Sequence, residues 1–181
     1  VILNGAGVVL SKGGIEASKD LAERLSAPVC VGYQHNDAFP GNHPLFAGPL
    51  GYNGSKAGMQ LIKDADVVLC LGTRLNPFST LPGYGMEYWP ADAKIIQVDI
   101  NPDRIGLTKK VTVGIVGDAA KVAQGIISQL ADDAGDAGRK DREAHIAKTK
   151  SAWAQELTSM TDENDDPGTN WNERARAAKP D

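Results

Sequence analysis

Cysteine and histidine are both scarce in this sequence, and each scarcity closes off a class of function. Cys30 and Cys70 are its 2 cysteines. Each sits in an apolar run, with neither the number nor the spacing of a zinc or redox motif. They read as buried thiols of a reducing compartment, or as neighbours across a sheet. The 3 histidines, His35, His43 and His145, share no helical or strand spacing with a carboxylate or cysteine and are assigned to loops and surface. Ser11, Ser55 and Ser79 lack the G-x-S-x-G setting of a nucleophile elbow. No apolar run reaches membrane-spanning length and no leader segment is visible.

An excess of positive charge is missing too. Residues 1–131 hold 11 acidic and 11 basic residues, and residues 132–181 hold 12 and 8, so the net charge of −4 falls entirely on the tail. That gives no basic face for nucleic acid. The expectation is a cytoplasmic protein with a small-molecule substrate and no nucleic-acid or membrane partner.

What is present suits one sizeable core: 41% hydrophobic residues in 181, one domain plus an appendage. The chain opens on VILNGAG, already inside a strand and without an initiator Met, and ends on KPD. It is therefore expected to be an internal piece of a longer polypeptide.

The organising stretch runs from Gly48 to Phe78. Gly48, Gly51 and Gly54 make a loop free to adopt positive φ, Ser55 is placed to cap a helix, and Leu61, Ile62 and Ala65 supply its apolar face. Val67 to Leu71 is then a continuous hydrophobic run, the signature of a parallel strand covered on both faces. Gly72, Thr73 and Arg74 come next, at the strand end where open α/β sheets bind ligands. Around this stretch, VIL, PVCVG, KIIQVDIN and VTVGIVGD read as further strands, with helices over about 15–25 and after Asp118. YQHNDAFPGNHPLFAG reads as a long loop, because Pro40, Gly41 and Pro44 oppose regular structure. The order predicts an α/β fold, a doubly wound parallel sheet with its glycine turns on one edge. Residues 1–131 are expected to form that domain. Residues 132–181 read as a charged linker: a flexible break at DDAGDAG, a helix with a narrow apolar stripe (Ile146, Trp153, Leu157, Met160), and an irregular polar tail.

The turn Asn4-Gly5-Ala6-Gly7 resembles the start of a dinucleotide fingerprint, but Leu10 stands where the third glycine belongs. The second strand also ends without the ribose-binding acid, so an NAD-type site is not expected. The acids come later, at Asp99 and Asp118. With Gly5, Gly72 and Arg74 they form a candidate nucleotide edge; equally, Asp99 and Asp118 suit turn or helix capping. Arg74 suits bidentate phosphate recognition, with a structural ion pair to Asp99 or Asp118 as the other reading.

Taken together, FPGNHPLFAGPLGYNGSKAGMQLIKDADVVLCLGTRLNPF and KIIQVDINPDRIGLTKKVTVGIVGDAAKV resemble the Rossmann-like central domain of thiamine diphosphate enzymes of the acetolactate synthase group. The PG-x-HPL loop, the G-x-x-G-x-x-G loop, the strand ending LG-x-R, the DI-x-P strand end and the VGD turn occur in the group's order. The resemblance implies an acyltransferase that uses thiamine diphosphate and Mg²⁺ and works as a dimer or tetramer, with the cofactor as electron sink. It also implies that the activating Glu and the GDG…N motif lie in other domains, since Gly117-Asp118 and Gly135-Asp136 are each followed by Ala. No catalytic or metal residue is then expected in this chain. Members of the group bind FAD across this domain beside an acidic run, where this sequence has Arg74-Leu75-Asn76-Pro77-Phe78. YQHND also replaces a small apolar segment that faces the flavin. These departures set an ADP-type, vestigial or empty site beside FAD as an equal reading. A non-catalytic nucleotide-binding module of the same fold is the rival reading.

Overall fold

The computed structural model describes residues 1–160. Among the described residues eleven strands and α-helices succeed one another: β1 (Ile2–Asn4), α1 (Ala6–Leu10), α2 (Gly14–Leu25), β2 (Val29–Gly32), β3 (Phe46–Leu50), α3 (Lys56–Lys63), β4 (Val67–Leu71), β5 (Lys94–Asp99), β6 (Val113–Val116), α4 (Ala119–Gln129) and α5 (Arg139–Met160). The six strands form one sheet in the order β3-β2-β1-β4-β5-β6, and every pairing is parallel. Strand order reverses between β1 and β4, which puts the switch point of a doubly wound sheet at the ends of those two strands.

One row of residues crosses the whole sheet in register: Gly48, Cys30, Leu3, Cys70, Gln97 and Gly114. Side chains alternate between faces along a strand, so this row shares a face. The Cys30 thiol lies 3.7 Å from the Gly58 carbonyl oxygen of α3, which identifies it as the face of α3. The neighbouring row holds Asn4, whose amide Nδ2 donates to Ser18 Oγ of α2 at 2.7 Å. That is the face of α2, against which α4 packs. Glycines stand at both ends of the first row because something lies close above them. A Cβ on Gly48 would meet Ser55 Cβ at 2.6 Å, and one on Gly114 would meet Ile105 Cγ2 at 2.5 Å.

The expected cap on α3 is made: Ser55 Oγ accepts from the Gly58 amide at 3.3 Å. Two elements differ from expectation. The long loop ends at Phe46 in β3, an edge strand that tolerates Pro49 because its outer side needs no ladder donor. Its register with β2 shifts beside Gly48, at φ +107°. Residues 6–10 are a five-residue helix rather than a plain turn.

α5 lies along α3, with Ile146 buried and Trp153 half-buried; Leu157 remains 46% exposed. The Trp153 ring meets Tyr84 edge-on at 5.1 Å, and Lys56 Nζ reaches Glu156 at 2.7 Å. The expected irregular tail, residues 161–181, falls outside the described residues. Within them no helix is long and apolar enough to cross a membrane.

A candidate site at the switch point of the sheet

A crevice of about 350 Å³ opens at the carboxyl ends of the strands, at the small end of the usual range for ligand sites. Gly5, Gly72, Arg74, Asp99 and Asp118 all line it, so the fold gathers every residue of the candidate nucleotide edge into one place. What each does there differs.

Gly5 and Gly72 serve close approach. The Gly5 amide donates to Leu71 O at 3.1 Å and the Gly7 amide to Gly72 O at 2.8 Å. Gly72 has φ +61°, and a Cβ there would stand 2.7 Å from Gly7 Cα. The two turns thus lie backbone on backbone. In a dinucleotide fold those first-turn amides would be turned to a pyrophosphate. Here the Gly5 and Gly7 amides are satisfied by β4 and its turn, and α1 ends after five residues. This accords with the missing third glycine.

Asp118 caps α4, accepting from the Lys121 amide at 3.1 Å. Ser11 Oγ donates to its carboxylate at 2.8 Å and accepts from the Ala120 amide at 3.2 Å. The Ser11 hydroxyl, and after it the Lys121 amide, hold the Asp118 carboxyl below the ordinary carboxylate range. Asp99 is buried at the end of β5, and its Oδ1 accepts from the Asn101 amide at 2.9 Å. The capping alternative therefore describes what both acids do within the protein.

Arg74 is exposed. Among the described residues no salt bridge joins it to Asp99, Asp118 or any other acid. It is not alone. Arg104, just after β5, lines the same crevice and is absent from the candidate edge read from the sequence. The turn Asn101-Pro102-Asp103-Arg104 carried the same signal as Gly72-Thr73-Arg74, an arginine just past a strand end. His35, assigned from sequence to a loop, also reaches the crevice.

The residues present do not fit a Mg²⁺–diphosphate centre. Among the described residues no group of three or more His, Cys, Asp or Glu is arranged to hold a metal ion. Both crevice acids are engaged in caps.

A doubly wound parallel sheet with its ligand crevice at the switch point is the architecture of a nucleotide- or cofactor-enzyme domain. The family described as "Thiamine pyrophosphate enzyme, central domain" matches residues 1–126, and the chain belongs to it. At the level of individual proteins, it is 76% identical over 181 residues to the sulfoacetaldehyde acetyltransferase of Roseovarius nubinhibens, covering 100% of this chain and 30% of that protein. It is 73% identical over 180 residues to the enzyme of the same name from Rhodobacter capsulatus, covering 99% of this chain and 30% of that protein. A probable acetolactate synthase large subunit from Methanocaldococcus jannaschii is 37% identical over 130 residues, 72% of this chain and 21% of that protein. The chain thus spans about 30% of the length of the sulfoacetaldehyde acetyltransferases it matches.

Proposed function

We propose that the protein containing this chain is a thiamine diphosphate-dependent acetyltransferase that converts sulfoacetaldehyde and phosphate to acetyl phosphate and sulfite. The observation that carries this reading is the reach of the similarity. The likeness to the Roseovarius sulfoacetaldehyde acetyltransferase, 76% overall, extends through residues 132–181 as well as the sheet, whereas that to the acetolactate synthase covers 72% of the chain. The thiazolium supplies an electron sink when bound, held with Mg²⁺ by residues outside this chain. The part of this chain is architectural, with a nucleotide edge at the crevice. There Arg74 and Arg104 face a nucleoside diphosphate, and the Gly5, Gly72, Asp99 and Asp118 turns shape the floor. We further propose a cytoplasmic homo-oligomer without bound FAD, with residues 1–131 as the domain and 132–181 as the linker to a separate cofactor-binding domain.

The test is phosphate-dependent sulfite release from sulfoacetaldehyde by the full-length protein, with added thiamine diphosphate and Mg²⁺. Acetolactate formation from pyruvate without sulfite release would overturn the acetyltransferase reading. Flavin absorbance in the purified protein would overturn the absence of FAD.

A further inference from the structure

Gln97 is the anomaly of the sheet. It stands mid-strand in KIIQVD, is 1% exposed, and occupies the row that Cys70 and Leu3 otherwise fill with small or apolar groups. A buried amide is tolerated only when its hydrogen bonds are made. Here they are made outward, to two separate loops. Nε2 donates to Thr73 O at 3.1 Å and to Arg104 O at 3.1 Å, while Oε1 accepts from the Gly106 amide at 2.8 Å. The partners fix which end of the amide is which, since two are carbonyls and one is an N–H.

Thr73 immediately precedes Arg74, and Arg104 is itself the second crevice arginine. A second stitch joins the same loops, from Thr108 Oγ1 to Leu75 O at 2.8 Å. Between the stitches the chain takes left-handed backbone at Gly72, Leu75 and Gly106. Such geometry at a leucine persists only where the surroundings enforce it. The only described polar partners of Gln97 therefore lie in the two loops that carry Arg74 and Arg104.

We propose that Gln97 is a positioning residue that locks the Arg74 turn and the Arg104 loop into one rigid unit, so that both guanidinium groups meet the diphosphate of a nucleotide in the crevice. This rests on the nucleotide edge proposed above and deepens it. Pre-organised donors lose less entropy on binding than free ones, so the benefit falls on the charged part of the ligand.

The experiment uses the full-length protein with ADP, inorganic diphosphate and adenosine as probes, read by calorimetry. Gln97→Leu, which removes all three bonds, is expected to weaken ADP and diphosphate at least tenfold and leave adenosine within twofold. Gln97→Asn, shorter by one methylene, should give a partial loss of the same pattern and serves where Gln97→Leu does not fold. Hydrogen exchange should rise together at residues 72–76 and 102–108 and stay unchanged in β1 and β2. Equal weakening of all three probes, or none, would overturn the positioning role even with the nucleotide edge intact. A parent protein that binds neither ADP nor diphosphate removes the nucleotide edge and with it this proposal. Coupled exchange in the variants would then leave Gln97 as a loop tie without a ligand.

Discussion

Arg74 and Asp118 line the same crevice under opposite constraints. The Arg74 side chain is exposed and has no ion pair among the described residues, so truncating it removes nothing the fold depends on. Arg74→Ala should leave the melting temperature unchanged while weakening ADP by about one to two decades, the equivalent of roughly 1.5–3 kcal/mol for a charge-assisted contact. A fall in melting temperature with unchanged ADP binding would instead make the residue structural. Asp118 ties α4 to Ser11. Asp118→Ala should lower stability by about 1 kcal/mol, the ordinary loss for a helix cap. Because its folded pKa is depressed, the stability this carboxylate contributes is present above about pH 4, the unfolded value. It is lost as the pH falls through the lowered folded value. Acid denaturation of Asp118→Ala should therefore be shallower than that of the parent in that window. A parallel pair of pH–stability curves would refute the assignment.

Among the elements, those with a single dominant signal were legible in the sequence. β4 and β5 read as apolar runs, α3 by its face and its Ser55 cap, and α2 by its period. β3 was not, because Gly48 and Pro49 break the strand pattern and only an edge position accommodates them. α1 was not, because five residues are too few for a period to show. The common placement of the five candidate residues at one sheet edge was recoverable because each sits at or just past a strand end. Gln97 was hidden, since its role depends on loops that fold back from either side of its strand. α5 is legible from its apolar stripe, yet much of its attachment is polar. Arg139 donates to Glu23 O at 3.0 Å and Arg24 O at 3.3 Å, and Arg142 to Leu25 O at 3.3 Å. Two guanidinium groups thus sit on the final carbonyls of α2, where a positive charge is stabilised by the negative end of the helix dipole. Limited proteolysis of the chain should cut first within 132–138, and Arg139→Ala with Arg142→Ala should accelerate that cut severalfold. First cleavage inside Val67–Leu71 would contradict a domain ending at 131.

For the molecule as a whole, the crevice acids are committed to caps and neither GD pair continues into GDG. The chain by itself, given thiamine diphosphate, Mg²⁺, sulfoacetaldehyde and phosphate, should therefore release no sulfite. Measurable turnover by it would require a cofactor centre that the described residues do not build. Another whole-molecule property comes from the row that crosses the sheet. Leu3 stands between Cys30 and Cys70, and two strand spacings, roughly 9–10 Å, exceed the reach of a disulfide. Burial pushes each thiol up to about 12, so neither is nucleophilic while the strands stay paired. The pair forms a built-in clock. Alkylation in the native state should proceed for both thiols at one shared rate, set by how often the whole sheet opens. A faster rate at one of them would time the peeling of a single strand.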